Sequence, residues 1–315
     1  MRAPERVGVG HRIGLIFAII IGVSFVAHAD TVSSDLGTAG PSNWGVLILS
    51  SSPNPQINQL DTIGTVGVDG GKLSVSGGSA VQITGNVYIN SPGSLQNSGT
   101  IHGNVYVATG ATVNNSGTIS GKVFTGQTLT TLATANTAAA SAYTTFKGLK
   151  PTQTVSGNTI TGSSGTITII AKNNGGLNVI NLTSINLNGA TLNLQGAAGT
   201  QFVINISGNM NVQSGSSINE TGGLSKDDVV FNVTGNLSTS GPSATINGIV
   251  LDPIGSVQLS NGFIDGELVA GGSSVQIVSG SHVTQVAPVP EPSSLILLGS
   301  GLIGMGTLVR RKTRR

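Results

Sequence analysis

The chain contains no cysteine, a single tryptophan and three tyrosines in 315 residues, and only 8% of it is charged. With no thiols, no disulfide can staple the fold, and thiolate chemistry and Cys-ligated metals are excluded. Arginine is missing from the whole stretch between positions 30 and 289. That body therefore has no bidentate clamp for carboxylate or phosphate. Six lysines against ten acidic residues leave it near −4, although the full chain is formally +2. Nucleic-acid binding, which needs clustered cations to neutralise phosphates, is not expected. Low charge and few aromatics could signal disorder, but Val, Ile and Leu recur at regular intervals through the body.

The basic residues sit largely at the two ends. Arg2, Arg6 and Arg12 precede a mostly apolar stretch at 13–26, and Ala27-His28-Ala29 supplies the small-x-small cleavage pattern around Ala27 and Ala29. Residues 1–29 are expected to be a signal peptide handled by the Sec translocon, with the mature chain starting at Asp30. At the other end, Pro290, Glu291 and Pro292 lead into an uncharged run at 293–309, and five of the last six residues are basic, Arg310 and Arg311 first. As a helix that run reaches about 25 Å, near the lower limit for a hydrocarbon core of about 30 Å. The basic end should stay cytoplasmic. A single-pass tail anchor would have the same layout. The order of the three parts at 288–315 resembles a PEP-CTERM sorting signal. The resemblance implies recognition and removal by an exosortase, transient inner-membrane anchoring, and a Gram-negative cell that makes extracellular polysaccharide.

Between the addresses lies a repeat. Ile83-Thr84-Gly85-Asn86-Val87-Tyr88-Ile89 returns as Ile101-His102-Gly103-Asn104-Val105-Tyr106-Val107, and again, at the same interval, as Ile119-Ser120-Gly121-Lys122-Val123-Phe124. Ile246-Asn247-Gly248-Ile249-Val250 and Ile264-Asp265-Gly266-Glu267-Leu268 keep that spacing. Alternating apolar residues, Gly-Asn-Ser turns and a fixed short period predict a mainly β fold. Specifically, they predict a parallel β-helix with rungs of about 18 residues, occupying 30–287. A segment near 129–149, with Leu132, Ala135, Ala139, Tyr143 and Phe146 at helical spacing, predicts one packed α-helix stopped by Gly148 and Pro151.

The middle of the chain runs from that helix through Leu177-Asn178-Val179-Ile180-Asn181-Leu182, Phe202-Val203-Ile204-Asn205-Ile206, Val229-Val230-Phe231-Asn232-Val233 and Ile246-Asn247-Gly248-Ile249-Val250-Leu251-Asp252-Pro253. This order resembles the choice-of-anchor A domain, a bacterial surface module. The strand-helix-strand layout is also similar to bacterial ice-binding β-solenoids. Neither resemblance implies a catalytic motif.

Tyr88, Tyr106 and Phe124 should stack outward at one-rung spacing, a candidate platform for sugar rings unless the helix covers them. Asn97 and Asn115 should form an internal or turn-lining amide ladder. Thr100 and Thr118 align, but the file Thr84, His102, Ser120 is irregular, so a flat Thr array is not expected. Asp227 and Asp228 read as a solvated turn. Asp265 and Glu267, two apart, would share a strand face and could hold a cation or act as acid and base. With His102 and His282 isolated, no catalytic residue, metal or cofactor is expected. The leading expectation is an exported, non-enzymatic surface or matrix protein that adheres to polysaccharide or protein. Ice binding is the alternative, and a polysaccharide-active enzyme a third.

Overall fold

The computed structural model describes residues 32–49, 54–58 and 62–285. The expected signal peptide and the C-terminal sorting segment lie outside the described residues. Among those described, the chain forms a parallel β-solenoid with three faces and one α-helix, α1 (Thr130–Gly148).

The order of rungs along the axis does not follow the order in the chain. On the first face, the strand Val46–Ile48 pairs with Val66–Val68, which leads on through Val87–Ile89 and Val105–Ala108 to Val123–Gln127. On its other side Val46–Ile48 pairs with the end of the strand Val257–Ala270, Val46 against Leu268. From there the ladder runs through Ile249, Val230 and Val203 to Val179 at the far end. The described residues thus enter mid-solenoid, climb to one end, return along the outside as α1, and wind back to meet their own first rung. The second face closes the same seam by pairing Gln56 with Gln276, and the third by pairing Thr62 with His282.

The helix is Ala- and Thr-rich, and threonine is a weak helix former, so packing must hold it. Leu132, Ala135, Ala139, Ala142 and Phe146 are buried, and their cluster includes Leu47, Val179, Val203, Val230, Ile249 and Val269 from the first face. Small alanines let the helix axis lie close to the sheet. Nineteen residues reach about 28 Å, enough to cross about six rungs spaced about 4.8 Å apart. A second cluster fills the solenoid itself with stacked Ile, Val and Leu rows.

The expected interval holds where the sequence shows it: Val87, Val105 and Val123 are in register, and so are Ile246 and Ile264. Elsewhere turns lengthen the rung, to 24 residues from Asn181 to Asn205 and 27 residues from Asn205 to Asn232. Asn97 is fully buried, gives its Nδ2 to Asn115 Oδ1 at 2.7 Å and accepts Gly99 N–H at 3.1 Å. Asn97→Ala would strand that buried N–H and should cost about 1–3 kcal/mol, read as a lower urea midpoint with an unchanged m-value.

Candidate functional site

The second and third faces carry the accessible ladders. On the second face the outward positions between inward Ile, Leu and Val rows align as Thr161, Asn186, Asn211, Ser238, Gln258, Gln276, Gln56, Ser74, Gln96 and Asn114. Every one is exposed or half-buried, and none is charged. On the third face the outward file reads Thr166, Thr191, Ser217 and Thr245, then Phe263 and His282, and, one strand beyond the seam, Gln82, Thr100 and Thr118. The aligned Thr100 and Thr118 therefore belong to a longer hydroxyl row that the seam joins across both halves of the chain. The rings of Phe263 and His282 interrupt it, stacked at 4.8 Å.

Tyr88, Tyr106 and Phe124 do form one column on the first face, with ring centroids 4.8 and 5.1 Å apart. Trp44 meets Tyr88 edge-on at 5.4 Å, and Tyr88 packs against the helix cluster. Tyr106 is half-buried, while Phe124 is 36% exposed. Cover is thus concentrated at the Tyr88 end. Asn86 and Asn104 donate to the phenol oxygens of Tyr88 and Tyr106 at 3.4 and 3.3 Å, which holds both rings.

The acid pair does not assemble. Asp265 stands on the third face, ion-paired with Lys226, whereas Glu267 has already turned the corner onto the first face and is fully buried. The bend falls at Gly266, stacked on Gly248. A corner between two positions breaks the period-2 rule that would have placed both on one face. Neither Glu267 oxygen has a hydrogen-bond partner, and burial pushes its pKa well above the usual range. Asp252 and Glu220 are raised to about 7, in both cases mainly by burial. Asp228 is buried too, reaching back to the Ser225 N–H to close a capping box, so the turn is open to solvent on its Ser225 and Asp227 side but not, as expected, at Asp228. Among the described residues no group of three metal-ligating side chains forms.

A family model described as ice-binding-like matches residues 58–282, most of the chain and almost all of the described solenoid. The chain belongs to the ice-binding-like family. A second model, the PEP-CTERM protein-sorting motif, matches residues 288–315 and implies export, exosortase processing and a transient membrane anchor. Solved structures similar to this chain include an ice-binding protein from an Arctic yeast, with 16% identity, TM-score 0.51, and 84% of this chain and 99% of that one covered. Another, from the Antarctic ascomycete Antarctomyces psychrotrophicus, has 19% identity and TM-score 0.48, over 80% and 98% of the two chains. A domain from Shewanella frigidimarina has 12% identity and TM-score 0.46, over 81% and 97%. No functionally curated protein matches. The family thus fixes the fold, and the outward residues must supply the function.

The sequence alone missed the second-face amide file. Its members lie at unequal intervals, and the step from Gln276 to Gln56 joins positions near opposite ends of the body.

Proposed function

We propose that this exported member of the family is a non-enzymatic adhesin of the cell envelope or extracellular matrix in a Gram-negative cell. Its second face lies against extended, uncharged, hydroxyl-rich material, with matrix polysaccharide foremost. The uncharged Asn, Gln, Ser and Thr file on that face carries this reading. Amides donate and accept together, and a parallel ladder repeats them about every 4.8 Å along the axis. Asn and Gln side chains are also flexible, so they adjust to the irregular hydroxyls of a polymer. The Phe124 end of the aromatic column offers a further strip for sugar-ring faces.

Ice is the second reading, favoured by the hydroxyl file on the third face and by the ice-binding names of the structural relatives. Threonine is stiff at χ1 and suits a fixed lattice, but Phe263 and His282 stand in the middle of the file. The two readings separate by experiment. The purified protein should be retained on a neutral matrix polysaccharide such as cellulose. Gln258→Lys with Gln276→Lys should lower that retention at least tenfold, and Phe124→Ala less. Partitioning into growing ice that Thr191→Lys with Thr245→Lys abolishes would favour the ice reading. Failure to retain on polysaccharide, protein or ice would overturn surface binding altogether.

A further inference from the structure

Where α1 ends, a cleft of about 430 Å³ opens between its last turn, the segment that follows, and three rungs of the solenoid. Lys147, Pro151 and Thr154 form one wall, and the positions around Asn181, Asn205 and Asn232 form the other. Those three asparagines occupy matching positions in successive rungs.

Their amides make a directed chain. Asn232 Nδ2 donates to Asn205 Oδ1 at 2.8 Å, and Asn205 Nδ2 donates to Asn181 Oδ1 at 3.1 Å. Two helix carbonyls fix the direction, because a carbonyl can only accept: Tyr143 O takes Asn232 Nδ2 at 3.2 Å and Phe146 O takes Asn205 Nδ2 at 2.8 Å. Two capacities are left over. Asn232 is 2% exposed, and its Oδ1 has no partner. Asn181 is exposed and lends the chain only its oxygen. The Asn181 Nδ2 is the capacity a ligand hydroxyl can reach, whereas the Asn232 oxygen has no surface open to the cleft.

The rest of the lining narrows the ligand. Exposed Pro151 offers apolar area for a ring's C–H face, and the exposed hydroxyls of Thr154 and Thr183 line the same cleft. Lys147 is its one charged residue, placed 3.2 Å from the Tyr143 hydroxyl. A lone lysine is a single point charge and matches the single charge of a carboxylate. We infer that this cleft binds an acidic sugar residue of a polysaccharide, with its carboxylate on Lys147 and its hydroxyls on the exposed Asn181 end of the asparagine chain and on Thr154 and Thr183. This site is separate from the second face and does not depend on that reading.

Calorimetric titration of the purified protein with a hexamer of mannuronate, at about 0.15 M salt where long-range repulsion from the acidic body is screened, tests the assignment. Binding should weaken at least tenfold in Lys147→Gln and in Asn181→Asp. Both positions are exposed, so both variants should melt with the wild type. Gln258→Lys with Gln276→Lys should leave it unchanged, so failure of the flat-face reading would not mimic failure here. No binding of the hexamer, unchanged affinity in both cleft variants, or equal affinity for neutral cellohexaose would each overturn the inference.

Discussion

Gly255→Ala is expected to unfold the protein at ambient temperature. A Cβ at Gly255 would lie 1.6 Å from the carbonyl oxygen of Gly235 on the rung below, and 2.7 Å from Asp252 Oδ1. Backbone, not a flexible side-chain tip, is in the way, so two rungs must separate. Gly235 stacks in the same manner on Gly208, with 2.4 Å available, so the strain would spread along the corner. Beside it, Asn209 Oδ1 accepts Asn236 N–H and Asn236 Oδ1 accepts Ser256 N–H, both at 3.0 Å, bonds that the shift would break. A loss above about 4 kcal/mol belongs to this kind of forced overlap. Gly148→Ala is the contrast, since nothing lies within 4 Å of its Cβ at the end of α1. That change should be neutral or stabilise by up to about 1 kcal/mol. Thermal melts followed by circular dichroism decide it: similar midpoints for the two variants would refute close stacking at the corner.

Stability should also fall as pH rises from about 4 to about 8. Asp252 and Glu220 hold their protons in the folded state up to about pH 7, whereas in the unfolded chain they lose them near pH 4. Below the unfolded value both states are protonated and nothing is lost. Between the two values the native state binds more protons, so each unit of pH weakens it, and the loss is complete above the folded value. A rise from 4.5 to about 7 for Glu220, and from 3.8 to about 7 for Asp252, corresponds to about 3–4 kcal/mol each at about 1.4 kcal/mol per unit. Together they should lower the melting temperature by about 15–30 °C across the range. Glu267, fully buried without a partner, acts in the same direction. Glu267→Gln should therefore melt with the wild type at pH 5 and clearly above it at pH 8. A variant that tracks the wild type at both values would show that the Glu267 carboxyl is not protonated by its burial.

The strands and the helix were legible because their signals are local. Ile83, Ile101 and Ile119 recur at a fixed interval, since each rung there makes the same tight turn beside a glycine. The helix at 129–149 was visible from its spacing and is found at Thr130–Gly148. Its inner face differs at one position: Ala142 is buried, while Tyr143 sits half-buried with its hydroxyl 3.0 Å from Thr234 Oγ1. The asparagine chain at 181, 205 and 232 escaped notice because longer turns set its members at wider, unequal intervals. A search for the short repeat passes over it. Asp265 and Glu267 misled for a related reason, since alternation predicts facing only within one flat strand and Gly266 marks a corner.

By itself the sequence determined composition, the C-terminal sorting motif, the solenoid class and the packed helix, all of which follow from short-range pattern and charge. Only the tertiary structure decided which rungs are neighbours. Because α1 carries the chain back outside the core, the last rung pairs with the first, Leu268 with Val46. That seam unites two half-faces into one uncharged plane and joins the hydroxyl row across the chain's two halves. Sequence distance carries no record of it, because the pairing is set by which apolar edges remain to be covered once each half has stacked.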